Sequence, residues 1–235
     1  MVVHYLDVRR AFRRPDKAHP ELVVDPDRVL PLAIARQRLK TVAGGDLKSP
    51  RSPAALWWIA PTGVGMSRLH WIEIRAPGRI AIMARPRAEE WLEAEVNEWK
   101  ESGIDVVVSL LEHDEISELR LRREAELCRS NGIDFISFPI PDRGLPESRH
   151  DALQIARLLA TGLRDGRSIA IHCRAGIGRS SVIAACALIC SGIDAEEALA
   201  LISEARGLIV PDTDEQRDWV VAFGNAHSGE GPPTR

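Results

Sequence analysis

Apolar and polar positions follow a regular period from about residue 69 onward, and they do not before it. Residues 69–74 alternate, and 79–84 follow across Pro77-Gly78, which predicts two strands joined by a hairpin turn. Residues 88–102 place Trp91, Leu92, Val96 and Trp99 at helical spacing and stop at Gly103, so these rings are expected to pack inward from a helix. Residues 104–111 form a nearly unbroken apolar run, the mark of a strand buried on both faces of a parallel sheet. Residues 115–131 read as helical, in one piece or two, with Gly132 as the stop, and 133–140 as a strand. Residues 148–164 form an amphipathic helix through Leu153, Ile155, Ala156, Leu159 and Leu163. Residues 169–172 read as the central strand, followed by a helix over 181–189. Asp194 and Glu197 give a capping-box start to a helix through Ala205, and a last helix runs over 214–223. Strands alternating with helices predict an α/β fold, a central and mostly parallel sheet flanked by helices.

The first 65 residues form an N-terminal extension that this pattern does not explain. Pro15, Pro20, Pro26 and Pro31 punctuate it, with a short strand expected at 2–8 and a helix at 28–42. Gly44, Gly45, Pro50, Pro53, Pro61, Gly63 and Gly65 suggest a linker or a loose wrap. An accessory module, a cover for the core and a partly disordered stretch all fit, and Met66 is placed where a start codon would suit the regular domain. The regular domain is taken as residues 66–226, and 227–235, rich in Gly and Pro, as a flexible tail.

Candidate chemistry concentrates in residues 172–180, His-Cys-Arg-Ala-Gly-Ile-Gly-Arg-Ser. An apolar run leads in and a helical run leads out, so the segment is a loop between a strand and a helix. Its backbone N–H groups converge at a helix N-terminus, where unpaired donors and the dipole favour an anion such as phosphate. Gly176 and Gly178 allow close approach and positive φ. Arg179 supplies a planar fork for two phosphate oxygens. The same field favours thiolate over thiol at Cys173, making it a candidate nucleophile. The plain alternative is a small buried core cysteine, but that role needs neither the two glycines nor the arginine.

His172, Cys173, five residues, Arg179 and Ser180 resemble the signature of the cysteine-dependent protein-tyrosine and dual-specificity phosphatases. The resemblance implies a compact phosphatase domain over residues 66–226. It implies in-line attack by Cys173 on phosphorus, a phosphocysteine, and phosphate held by Arg179 and the loop Arg174, Ala175, Gly176, Ile177 and Gly178. No metal and no cofactor are expected. The leaving oxygen needs a proton donor. Asp142, in Pro-Asp-Arg-Gly 31 residues before Cys173, looks like the family's mobile acid loop, although a turn aspartate is its plain reading. Gln216 is open to two readings: a helix-capping partner of Thr213, and, through the resemblance, the residue that aims the hydrolytic water. Ser180 is assigned a hydrogen bond to the departing thiolate, and His172 a hydrogen bond that fixes the loop and the cysteine from the strand end.

The implied substrates are phosphotyrosine, phosphoserine or phosphothreonine on proteins. Phosphoinositides or other small phosphoesters stand as an alternative, as does a module that binds phosphate without turnover. Sulfurtransferase or arsenate reductase chemistry would use a similar cysteine loop. Only Arg174 is basic inside the loop, which disfavours polyphosphorylated substrates, and Arg85, Arg87 and Arg143 are candidates to supplement the field.

Composition narrows this little. The net charge of −3 argues against a general nucleic-acid binder, although residues 1–51 carry a balance of +5 and the rest −8. Four cysteines, with Cys128, Cys186 and Cys190 on expected helices, do not make a secreted disulfide framework. No charged start followed by an apolar core suggests a signal peptide, and the longest apolar stretch, 182–193, is too short to span a bilayer. A cytoplasmic location is expected. The arginine-to-lysine ratio of 27 to 4 points to a GC-rich, bacterial coding sequence.

Overall fold

The computed structural model describes residues 67–228. The strand expected at 2–8, the helix at 28–42, the linker, Met66 and the tail from residue 229 lie outside these residues. The elements run β1 (His70–Ile72), β2 (Arg79–Met83), a 3-10 turn (Glu89–Trp91), α1 (Leu92–Glu101), β3 (Val106–Ser109), α2 (His113–Glu118), α3 (Glu124–Ser130) and β4 (Asp134–Ser137). They continue α4 (Arg149–Arg164), β5 (Ser168–His172), α5 (Arg179–Cys190), α6 (Ala195–Arg206) and α7 (Asp214–Ser228).

The strands form one sheet in the order β1-β2-β5-β3-β4. β1 pairs antiparallel with β2 across the Pro77-Gly78 turn, and every other pair is parallel. β5 lies in the middle. His172 at its end is in register with Met83 of β2 and Ser109 of β3, so Cys173 emerges at the carboxyl edge of the sheet's centre. In open α/β sheets this edge is where ligands bind. Trp99, Val96 and Leu92 of α1 meet Val107, Met83 and Ala170 of the sheet in one core cluster with Leu127 and Cys128 of α3. α5 packs among α4, α6 and α7, and every residue from Arg179 to Ile189 is buried. A helix apolar on all sides needs such surroundings.

Caps follow the sequence closely. Ser148 Oγ accepts from Asp151 N–H at 3.2 Å to start α4, and Asp194 accepts from Glu196 N–H at 2.9 Å to start α6. The segment 115–131 divides into α2 and α3, and the chain turns through Arg120 at φ +56 to bury Leu121 between them. The final helix runs to Ser228, beyond the expected end at 223 and two residues past the boundary set at 226. Trp219, Phe223 and His227 stack at successive i, i+4 positions, with centroids 5.6 and 6.4 Å apart, and extend it.

The hairpin turn is tightly bound to the connection ahead of β5. Gly78 N–H donates to Leu163 O at 2.8 Å, and a Cβ at Gly78 would stand 2.4 Å from Arg167 O. Gly78→Ala should therefore cost about 1–3 kcal/mol by forcing backbone apart. Urea denaturation checks this; an unchanged midpoint would show that the turn moves freely.

Candidate active site

Residues 173–178 link β5 to α5 as a short loop over the N-terminus of a buried helix. Gly176, at φ +68, lets the loop lie on β2: a Cβ there would come within 2.4 Å of the Met83 backbone. Behind the loop, Arg206 at the end of α6 donates from Nε to Gly176 O at 2.9 Å and from Nη2 to Ala175 O at 3.4 Å. A trans peptide points its N–H opposite its C=O. Pulling these two carbonyls toward Arg206 therefore turns the Gly176 and Ile177 N–H groups the other way. Gly176 N–H indeed donates to Cys173 Sγ at 3.3 Å. Ser180 Oγ lies 3.5 Å from the same sulfur. Cys173 is buried yet forms part of a cavity of about 230 Å³ shared with Asp142, Arg143, Arg174, Gly178, Arg179 and Asp212.

Arg179 is 2% exposed and fully engaged in its pairing. Nη1 donates to Glu115 Oε2 at 2.6 Å and to Ile140 O at 2.9 Å. Nη2 donates to Glu115 Oε1 at 2.9 Å and to Asp142 Oδ1 at 2.8 Å. The fork read from sequence as a phosphate grip thus holds Glu115 on one side and the candidate acid on the other. Burial opposes the guanidinium charge, but Glu115, the Cys173 sulfur and Asp142 raise its pKa above the ordinary arginine value. Asp142 sits in a turn closed by Gly144 N–H to Pro141 O at 2.8 Å, with Arg143 at φ +56. The structure thus brings Cys173, Arg179, Ser180 and Asp142 together.

Gln216 is fully buried at the start of α7. Thr213 Oγ1 accepts from its N–H at 3.2 Å, so the capping reading is formed. Its side chain points elsewhere: Nε2 donates to Gly144 O at 2.9 Å, and Oε1 has no partner. His172 departs from the expected role. Its ring faces α3, with Nε2 2.8 Å from Glu124 Oε1, and neither ring nitrogen has a hydrogen bond to the loop. The ring is buried beside Glu124 of α3. Arg174 turns outward to Glu118 at 2.7 Å. Burial pushes the thiols of Cys186, Cys128 and Cys190 up, the last to about 11, so all three stay protonated at neutral pH.

Comparison with known proteins fits this geometry. The family model described as "Tc-R-P: Polymorphic toxin system, DSP-PTPase phosphatase" matches residues 81–193. Cyclin-dependent kinase inhibitor 3 of Rattus norvegicus is 31% identical over 134 residues, covering 56% of this chain and 63% of that protein. Protein tyrosine phosphatase PRL-1 of Leishmania major is 34% identical over 117 residues, 46% of this chain and 65% of that one. By these matches the chain is similar to the cysteine-dependent protein-tyrosine and dual-specificity phosphatases. It spans less than two thirds of the length of these two relatives. Among solved structures, Tk-PTP in its active form aligns with TM-score 0.55 at 28% identity, over 67% of this chain and 96% of that one. Kinase-associated phosphatase, with its catalytic-site cysteine replaced by serine, shares the fold at TM-score 0.62 and 23% identity, over 71% of this chain and 98% of that one.

Glu115, the partner of Arg179, belongs to no motif in the sequence. Glu115 sits where a helix start explains an acid equally well: its Oε2 also accepts from Glu112 N–H at 3.0 Å. Arg206 and Asp212 likewise carry no local signal. Burial opposes the Glu115 charge, but the Arg179 hydrogen bonds, the Glu112 N–H and nearby Arg174 hold its carboxyl below the usual carboxylate range. A native pKa below the unfolded value of about 4.3 stabilises the fold fully above that pH, and the gain is lost as pH falls through the native value. Glu115→Gln should cost on the order of 3–5 kcal/mol near neutral pH by leaving a buried arginine short of its partner. The difference from wild type in denaturant titrations should shrink as pH falls below about 4. A pH-independent difference would remove the carboxylate charge from the explanation.

Proposed function

We propose that the chain hydrolyses phosphate monoesters on proteins, at phosphotyrosine and at phosphoserine or phosphothreonine, through a phosphocysteine. One observation carries this reading: the Cys173 sulfur, with Gly176 N–H at 3.3 Å and Ser180 Oγ at 3.5 Å, opens into the same cavity as Arg179 and Asp142. A sulfur placed among donors and beside a guanidinium is arranged to attack an anion's centre. In the first step an S–P bond forms at Cys173 and the P–O ester bond breaks, its electron pair leaving with the oxygen. That oxygen takes a proton from Asp142. An entering phosphoryl oxygen competes for the Arg179 Nη2 position that Asp142 occupies, which turns the acid toward the leaving group. In the second step water attacks phosphorus and the S–P bond breaks. The water proton passes to Asp142, the unpartnered Gln216 Oε1 orients the water, and Ser180 supports the departing sulfur.

Substrate breadth follows from the walls. Among the described residues no aromatic side chain lines the cavity, which supports the dual-specificity reading over a strictly phosphotyrosine one. The catalytic domain is proposed to span residues 66–228. Among the described residues no helix is long and apolar enough to cross a membrane. A thiol nucleophile works in a reducing compartment, and the proposed site of action is the cytoplasm. The matched family model favours a second reading of setting rather than chemistry, a phosphatase domain deployed as a polymorphic toxin. Expression in a susceptible cell should then arrest growth with Cys173 and not with Cys173→Ser.

Cys173→Ser should abolish hydrolysis of p-nitrophenyl phosphate while retaining phosphoester binding, vanadate should inhibit the wild type, and chelators should leave it intact. Asp142→Asn should lower turnover of poor leaving groups by about 10²–10⁴. Binding without hydrolysis in the wild type would overturn catalysis and leave a phosphate-binding module. Rapid-quench trapping with no phosphorus on Cys173 during turnover would overturn the covalent route.

A further inference from the structure

Two loops meet at the cavity mouth, and the contacts joining them are not required by the attack on phosphorus itself. Two residues past the acid, Gly144 O accepts Gln216 Nε2 at 2.9 Å. Beside it, Arg143 Nε lies 3.3 Å from Asp212 Oδ2, and both residues line the cavity. The other end of the Gln216 amide, Oε1, is buried without a partner. It lies against the anion loop, where a Cβ at Gly178 would meet it at 2.7 Å. A carbonyl can only accept a hydrogen bond, so Gly144 O must face the amide's nitrogen. The amide oxygen is then forced toward the loop that carries Cys173.

We infer that the Gly144 carbonyl and the Arg143–Asp212 pair latch the acid loop to the start of α7, so that Asp142 and Gln216 are positioned as one unit. With the acid loop seated, Gln216 Oε1 faces the site of the phosphocysteine and Asp142 stands beside it. When the loop lifts, the proton carrier and the water guide are lost together. Arg143 and Asp212 are positioning residues that act through this seating. The inference rests on the proposed phosphocysteine chemistry and adds how its second step is prepared. The Arg143 and Asp212 side chains are 68% and 41% exposed, so their pair is too well solvated to add much stability, and its effect is read in kinetics.

The test uses the full chain, a series of aryl phosphates with leaving groups of rising pKa, and glycerol as a competitor to water for the phosphocysteine. Asp212→Asn should lower kcat/KM for the poorest leaving groups about two- to fivefold relative to p-nitrophenyl phosphate, the scale of an exposed pair. It should also raise the share of phosphoryl transferred to glycerol over water. The exchanged double variant, Arg143→Asp with Asp212→Arg, should return both values toward wild type. Both readouts are ratios, so a partly unfolded preparation does not shift them. If Asp212→Asn matches wild type in both ratios, whatever its overall rate, or the exchanged variant fails to recover them, the latch is wrong. A wild type that turns over no aryl phosphate rejects the phosphatase reading and the latch with it. An active wild type with unmoved ratios rejects the latch alone.

Discussion

The buried guanidinium of Arg179 is the constraint around which the site is assembled. A charge that is 2% exposed must be paired and hydrogen-bonded, because its uncompensated burial costs several kcal/mol. Here Glu115 of α2, the carbonyl of Ile140 after β4, and Asp142 in the following turn converge on that one group. Two separate segments of chain, α2 and residues 140–142, are thus registered against the first residue of α5. The side chain that orders these segments is also the one a phosphoryl group needs. On the proposed reading a bound dianion would exchange only the outer contact, to Asp142, and leave the inner contact to Glu115 in place. The frame would therefore survive while the acid is released.

The loop itself is built by a different device. Its amides must face inward although loop backbone has no intrinsic reason to do so. Two constraints supply the direction: β2 presses on Gly176 from below, where only a glycine fits, and Arg206 draws the Gly176 and Ala175 carbonyls outward. Peptide planarity does the rest. The nest is thus a consequence of where α6 ends.

Legibility in the sequence tracks the distance over which each residue finds its partner. The cysteine loop is nine consecutive residues between a strand pattern and a helix pattern, so its chemistry could be read locally, and so could the order of strands and helices. Glu115 could not, because its partner is 64 residues away and a helix start accounts for it just as well. Gln216 is ambiguous for a physical reason: its backbone caps a helix, a local contact, while its side chain reaches Gly144, 72 residues away, which no local pattern announces. His172 was assigned a bond to its neighbours in the motif, but strand pleating sends its ring to α3 instead. The bend at Arg120 has no glycine or proline to announce it. It is imposed by the burial of Leu121 between two helices.

Charge around the cavity bears on what can enter it. Three arginines stand at the site, which by count alone would suit a polyphosphate. Each is already answered by an acid: Arg174 by Glu118, Arg143 by Asp212, and Arg179 by Glu115 and Asp142. A second phosphate on a substrate would have to break a rim pair to gain a cation. That exchange returns little, because exposed pairs and exposed phosphate contacts are both solvated. A first phosphate meets different conditions. It enters where the loop turns its amides toward Cys173 and where Arg179 is held from behind by Glu115, so the same nominal charge counts for more. On the proposed reading the walls would discriminate by depth, recognising one phosphoryl group strongly and its surroundings weakly. On the proposed reading this arrangement suits a phosphorylated side chain presented by many different proteins better than a densely phosphorylated headgroup.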